Sequence, residues 1–594
     1  MVSRRTTTDD GRRTTDDGRR TTDDGRRTTD DGRPLPLAVL AVVRNLVSAL
    51  RLLDVASVFA DDDRVRIHWT IVPGSEFAEE TDEYLARERG IRLKAWGEAC
   101  RERHDLIIAT SGNGELFRLD GPLMLLPHGA GYSRVVGQGN AAPAGLAPEQ
   151  LLHDGRVLPA VIGLEHEAQR ARLAAHCPPA AQRGEVLGDP TRDRLAAGMA
   201  LRDAYRSALH VAPEQTLAVL SSTWGSGSLF AEHGDLPARL LGELPADEFR
   251  LAAIIHPNVA ARLGFWEVGR RLSRSRAAGL RLVPSDGWEG AVLAADLVVG
   301  DHGSVSMYAA AAGTRVVLGS YDSAQIVPDS PMAALAARLP RLRHESPLAP
   351  QLHEALTQDL DGPAYRAAAA SMGAPGQSLN LTQATVYDQL GLPAPRRRPK
   401  VLAPRPASPD SAFRSAHLVL VERDGLDPAG LGLYVRRFAA AIDPDLVDED
   451  SSGLLCRHLA VQTTDPDPTL RENAEVLLLP ERPGYHHVET DAEALEAALA
   501  RYENCGRVAA RAAGPGRCLA LSAATGLVEL RAADPRIDPA VLASVLWALL
   551  LIQGAPEPER AIAPMEKGVA LRVGRIRTLV TLQRSAEALP SSPS

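Results

Sequence analysis

Histidines and hydroxyls stand at the turns that end several apolar runs of this chain. Asp301-His302-Gly303-Ser304-Val305-Ser306 follows the run Leu297–Val299 and opens a stretch of small residues that closes at Gly313. His128-Gly129-Ala130-Gly131 follows Leu123–Leu126, His256-Pro257 follows Ile254-Ile255, and Ser221-Ser222-Thr223-Trp224-Gly225-Ser226-Gly227-Ser228 follows Leu217–Leu220. A histidine in a Pro/Gly turn is exposed and titrates near neutral pH, which suits a general base. A Gly/Ser turn that opens a helix offers backbone N–H groups and the helix dipole to a phosphate. Together these groups suit transfer from a phosphorylated donor. For His128 alone, a ring hydrogen bond to a loop carbonyl is an equally good reading, and for the Ser222–Thr223 turn the rival is a solvent loop. Gly188-Asp189-Pro190-Thr191-Arg192-Asp193 reads as a turn capping the next helix, with Asp193 structural.

The elements that must hold these turns alternate. Ala38–Val43, Val65–Val72, Ile91–Ala95, Asp105–Ala109 and Leu123–Leu126 read as strands, with helices over 45–59 and 77–89. A second series reads Leu217–Leu220, Arg250–Ile255, Arg281–Val283, Leu297–Val299 and Arg315–Leu318. Strand–helix–strand order implies parallel sheets, whose ligands bind beyond the carboxyl ends of the strands. The fold class expected is therefore α/β: two Rossmann-like parallel-sheet domains facing a cleft, then a separate α/β carboxyl-terminal domain.

The expected organisation runs as follows. Residues 1–33 repeat Arg-Arg-Thr-Thr-Asp-Asp-Gly four times, with one extra Thr in the first copy and no apolar residue at any repeat position, so a disordered tail is expected. Residues 34–205 form the first Rossmann-like domain, on the acceptor side, and 206–391 the second, on the donor side. A Pro/Arg-rich linker covers 392–410. Residues 411–585 form the last domain, in which Cys456-Arg457-His458 and His486-His487 read as ordinary polar or core residues rather than metal ligands. Val541–Ile552 is too short for a membrane span; with Asp538 as N-cap and Pro539 at the first helical position it reads as a buried helix.

Composition narrows the function further. A chain of 594 residues that is 45% hydrophobic can bury two or three cores. A net charge of -9 argues against a general nucleic-acid binder. Five widely spaced cysteines with no CxxC pair indicate neither a disulfide framework nor a zinc site, and fit a reducing cytoplasm. No metal or cofactor is called for, and no transmembrane segment; peripheral membrane contact stays open.

In their order and spacing, His128-Gly129, Gly188-x-Pro190-x-x-Asp193, Ser222-Thr223-Trp224, His256-Pro257 and Asp301-x-x-Ser304 resemble GT-B-fold transferases of the CDP-glycerol glycerophosphotransferase group, the teichoic-acid polymerases. They are more distantly similar to the non-hydrolysing UDP-N-acetylglucosamine 2-epimerases. The likeness covers residues 34–390 and is densest over 280–320. It implies a nucleotide-activated donor, a CDP-polyol or a nucleotide sugar, and a hydroxyl acceptor of unknown identity. It also implies His128 as general base, His256 against the donor phosphates, and Ser304 with its neighbouring N–H groups on the leaving phosphate. Ser222, Thr223, Asp301, His302, Gly303 and Ser306 complete the expected donor site, with Gly129, Gly131, Gly188 and Asp193 shaping it. The chain departs from the group where Asp301-His302-Gly303-Ser304 replaces Asp-Tyr-Ser-Ser and Gly313-Thr314-Arg315 replaces Gly-x-Pro.

Other classes fit less well. An α/β-hydrolase needs a Gly-x-Ser-x-Gly elbow, which is absent, and the nicotinamide fingerprint fails because Phe117 stands where the third glycine should. The remaining rival is a non-catalytic nucleotide-binding scaffold or sensor on the same fold.

Overall fold

The computed structural model describes residues 20–21, 27–28, 35–75, 77–136, 142–408, 416–424, 432–442, 453–481, 488–502, 508–552 and 558–584. Most of the amino-terminal repeat, and with it the expectation of disorder there, lies outside the described residues, as do His486, His487 and Cys505. The chain forms two compact units, one of residues 1–126, 152–163 and 379–400, the other of 127–151, 164–378 and 401–594. The segment carrying His128 thus belongs to the unit that holds the second sheet.

In the first unit β1 (Leu37–Val43), followed by helix α1 (Leu46–Ala56), pairs in parallel with β2 (Val65–Ile71) and β3 (Leu106–Ala109). Then come β4 (Leu123–Leu125) and β5 (Pro159–Leu164), giving the order β5-β4-β3-β1-β2. The core strands are continuous apolar runs because helices cover both faces of a parallel sheet. The segment expected as a strand at Ile91–Ala95 makes only one bridge, Leu93 to Trp69. Asn45 caps α1 by accepting from the Ser48 N–H, and Ser48 returns the bond, which fixes where the helix starts.

In the second unit, helix α2 (Pro190–Gly198) is capped by Asp189. Its sheet contains β6 (Thr216–Ser222), β7 (Phe249–Ile255), β8 (Arg281–Val283), β9 (Leu297–Gly300) and β10 (Arg315–Leu318), ordered β8-β7-β6-β9-β10 and parallel throughout. Three short helices follow β7: α3 (Pro257–Leu263), α4 (Phe265–Arg271) and α5 (Ser273–Ala277). Helix α6 (Ser304–Ala311) follows β9. From β6 the chain moves outward to β7 and β8, then returns to the other side of β6 for β9. Strand order therefore reverses between β6 and β9, and the loops leaving those strands diverge there.

The separate carboxyl-terminal α/β region contains a closed barrel, which the sequence reading did not specify. Strands β11 (Ala416–Arg423), β12 (Leu433–Ala439), β13 (Leu454–Gln462), β14 (Val476–Leu479), β15 (Val508–Gly514), β16 (Arg517–Ser522), β17 (Gly526–Ala532), β18 (Val569–Val573) and β19 (Ile576–Arg584) close into a barrel. Helix α7 (Val488–Arg501) packs on its strands, and α8 (Pro539–Ile552) runs among their inward-facing side chains. Every residue of α8 from Val541 to Leu549 is buried, which is why it is apolar on all sides rather than along one stripe. As the sequence indicates, Pro539 starts this helix, and Asp538 accepts from the Ala540 N–H. The described part of the Pro/Arg-rich segment, 392–408, has no regular structure but is partly docked: Ala407 is buried, and the Pro404 carbonyl accepts from the Tyr205 hydroxyl.

Candidate functional site

Asp301, directly after β9, organises the reversal point of the second sheet. Its carboxylate is fully buried and accepts from three backbone N–H groups: Oδ2 from Thr223 at 2.7 Å and Leu229 at 3.0 Å, Oδ1 from Gly303 at 3.0 Å. Its own carbonyl accepts from the Ser306 hydroxyl at 2.7 Å. One side chain thus ties the loop after β6 to the loop after β9. Burial pushes this carboxyl up, against the pull of those N–H groups and of His302. With its oxygens committed to backbone, Asp301 shapes the turn, and Ser306, also buried, braces it from within α6.

The turn leaves Gly303 as the N-cap of α6 and Ser304 as its first residue, partly exposed. The loop from β6 contributes Ser222, whose hydroxyl accepts from the Phe230 N–H at 3.1 Å, and Thr223, whose side chain lies beside Gly303. Ser222 is thereby a loop brace, and Thr223 faces the turn.

The His128 loop reaches the same place. Gly131 sits at φ 80°, its N–H donates to Glu165 Oε2 at 2.6 Å, and Arg172 donates to the carbonyls of Gly131 and Tyr132 at 2.9 and 3.0 Å. This anchoring presses Gly129 against α6: a Cβ added there would lie 2.7 Å from Ser304 Oγ. A larger residue at 129 would require the Ser304 hydroxyl to turn away. His128, one residue earlier, is exposed, and its charge would be felt at His256.

His256 ends β7 and caps α3. Its Nδ1 accepts from the Asn258 N–H at 3.1 Å, so the proton of the neutral ring resides on Nε2. Burial, together with Arg134 and His128 nearby, pushes this imidazole down to about 3. His302 is built alike: Nδ1 accepts a long bond from the Asp322 N–H at 3.4 Å, leaving the proton on Nε2, and burial lowers its pKa. Near neutral pH both rings are uncharged donors, not the cations that phosphate neutralisation would require.

The positive charge comes from a residue that the sequence did not mark. Arg134 lies near the end of the loop that carries His128, with its guanidinium carbon 5.0 Å from the centroid of the Trp224 ring, in the loop leaving β6. It donates to Gln325 Oε1 at 3.3 Å and makes no ion pair among the described residues. Burial lowers its pKa while Asp301 opposes that shift. Trp224 in turn stands 6.3 Å from His256, ring to ring. A half-buried guanidinium with a neutral amide as its partner is a preorganised place for an anion.

Gly188 and Asp193 lie away from this cluster in their bonding. Gly188, at φ 75°, leads into the Asp189 cap, and Asp189 Oδ2 accepts from the Tyr308 hydroxyl at 2.6 Å, fastening α2 to α6. Asp193 is buried and accepts from the Gly376 and Ser378 N–H groups at 2.6 and 3.0 Å and from the Ser378 hydroxyl. Both are structural. No group of three or more His, Cys, Asp or Glu side chains among the described residues is placed to hold a metal ion. No helix among them is long and apolar enough to cross a membrane.

No known family matches the sequence, and no curated protein does. Solved structures do match the backbone. A wall teichoic acid polymerase is 11% identical, with 60% of this chain and 89% of that chain covered and a TM-score of 0.42. A putative UDP-N-acetylglucosamine 2-epimerase from Listeria monocytogenes is 14% identical over 60% of this chain and 98% of its own, with a TM-score of 0.38. The UDP-GlcNAc 2-epimerase of Methanocaldococcus jannaschii, in complex with UDP-GlcNAc and UDP, is 10% identical over 59% of this chain and 100% of its own, with a TM-score of 0.39.

Proposed function

We propose that the protein is a transferase that moves a polyol phosphate or a glycosyl group from a nucleotide-activated donor to an acceptor hydroxyl. The observation that carries this reading is the Arg134 guanidinium, held over Trp224 without an ion pair among the described residues, at the point where the order of the second sheet reverses. Around it stand two neutral imidazoles fixed as Nε2–H donors, the Ser304 hydroxyl and the start of α6. That set suits a diphosphate: one fixed positive charge and several hydrogen-bond donors.

In this mechanism Arg134, His256, His302 and Ser304 hold the donor phosphates, while Asp301 and Ser306 keep the turn in shape. His128, exposed at the end of a loop that Gly129 presses against Ser304, takes the proton of the acceptor hydroxyl. The acceptor oxygen bonds to the donor's outer phosphorus as the bond to the nucleotide phosphate breaks and CMP leaves. In the glycosyl case it bonds to the anomeric carbon and a nucleoside diphosphate leaves. Charge that develops on the leaving phosphate meets Arg134 and the two Nε2–H groups.

Phosphorus NMR on the full chain with CDP-glycerol, CDP-ribitol and UDP-, GDP- and dTDP-sugars tests the proposal. Consumption of one donor by the wild type, lost in His128→Ala with donor affinity retained, is the expected result. A donor that binds and is never consumed would make the protein a nucleotide-binding scaffold instead.

A further inference from the structure

Between Pro257 and Leu280 the sequence holds five arginines and one acidic residue, Glu267, in a chain whose net charge is -9. This local surplus lies on α3, α4 and α5, where Arg262, Arg270, Arg271 and Arg274 are exposed. Glu267 binds Arg270 at 2.7 Å and Arg271 at 2.8 Å, so the lone acid is shared by two arginines and the surface stays cationic.

At the apex of this surface Gly264, at φ 80° and ψ 147°, turns the chain from α3 into α4. The next two residues are Phe265 and Trp266, 76% and 77% exposed, the most exposed large hydrophobic side chains described. They do not project because the segment is loose: Val268 and Leu272, a few residues on, are buried in the core cluster beneath the sheet. Two adjacent aromatic rings are therefore held in water on an anchored turn, with exposed arginines before and after them in the sequence. Water is a poor environment for such rings, whereas the boundary layer of a bilayer accepts tryptophan and phenylalanine and its anionic headgroups attract arginine.

We propose that this apex docks the protein on an anionic membrane surface, with Phe265 and Trp266 entering the headgroup boundary and Arg262, Arg270, Arg271 and Arg274 facing the lipid phosphates. The surface stands independently of the transfer reading, since none of these side chains belongs to the candidate site. Its position adds to that reading: α3 is capped by His256 and is seven residues long, so the apex lies roughly 10 Å along the helix from that histidine.

Sedimentation of the full chain with vesicles tests the proposal. The wild type is expected to pellet with equimolar phosphatidylcholine and phosphatidylglycerol, to stay in solution with phosphatidylcholine alone, and to be released by salt. The double variant Phe265→Ser/Trp266→Ser should lose at least about tenfold in vesicle affinity, as should Arg262→Glu/Arg274→Glu. Leu402→Ser, at another exposed apolar side chain, should bind like the wild type. Because the altered groups are exposed, the variants keep the wild-type melting temperature, which separates lost docking from lost folding. Equal pelleting with both lipids, no pelleting, or unchanged binding of the aromatic double variant would each overturn the proposal. So would self-association abolished by Phe265→Ser/Trp266→Ser without lipid, or tighter binding to a single-stranded oligonucleotide than to vesicles.

Discussion

The Arg134 guanidinium lies over the Trp224 indole, 5.0 Å from the ring centroid, and that stacking joins the loop carrying His128 to the loop leaving β6. The indole holds the cation in place while leaving its charge available to a ligand.

Replacement of Arg134 by Ala should weaken nucleoside diphosphate binding by roughly 10- to 100-fold, the range for a lost charged hydrogen-bond donor. Arg134→Lys should recover little, since an ammonium cannot reproduce the planar fork or its stacking. Trp224→Ala should cost less, about 1 kcal/mol, the scale of a partly exposed cation–π contact. Isothermal titration on the three variants gives this order, and an Arg134→Ala affinity equal to wild type would remove the residue from the site.

Asp301→Ala should destabilise the second unit by about 3 kcal/mol or more, because the N–H groups of Thr223, Leu229 and Gly303 lose their acceptor in a buried place. Asp301→Asn keeps one oxygen for two of those donors but turns an NH2 group toward the third, so its loss should be smaller yet clear. Urea unfolding measures both.

Inside the barrel, Ser544 on α8 is buried with a hydroxyl that finds no partner among the described residues. Removing that group is expected to help: Ser544→Ala should stabilise the protein by about 1 kcal/mol, read as a higher urea midpoint.

His458 on β13 is buried, and burial alone pushes its imidazole down to about 3. Its unfolded value lies near 6.5, so between those limits the unfolded chain binds the extra proton and stability falls with falling pH. The slope should approach about 1.4 kcal/mol per pH unit from this residue. His458→Phe should flatten the dependence of the unfolding free energy on pH across that window while leaving it unchanged in direction above pH 7.

Much of the α/β part was legible because buried parallel strands are uninterrupted apolar runs: Arg281–Val283 and Arg315–Leu318 agree with the sequence reading residue for residue. The turns at Asp301, His256 and His128 were legible too, since Gly and Pro mark the ends of those strands. The barrel was not. Val-Ala-Ala-Arg-Ala-Ala-Gly at β15 and Gly-Leu-Val-Glu-Leu-Arg-Ala at β17 carry little β-branched character, and their pairing with distant strands, not their composition, makes them strands. Arg134 escaped for a related reason. Nothing in Tyr132-Ser133-Arg134-Val135 announces a site, and its value comes from a fold that brings it to Trp224 without an ion pair among the described residues.

The closing seam of the barrel pairs β12 with β18, Leu433 beside Leu571, and α8 is made before β18 and β19 exist. During synthesis the helix that is apolar on all sides must therefore wait for the last strands before its surroundings are complete. A chain that ends before β18 would carry an open sheet edge and an unsheltered hydrophobic helix, the two features that most readily draw one polypeptide onto another.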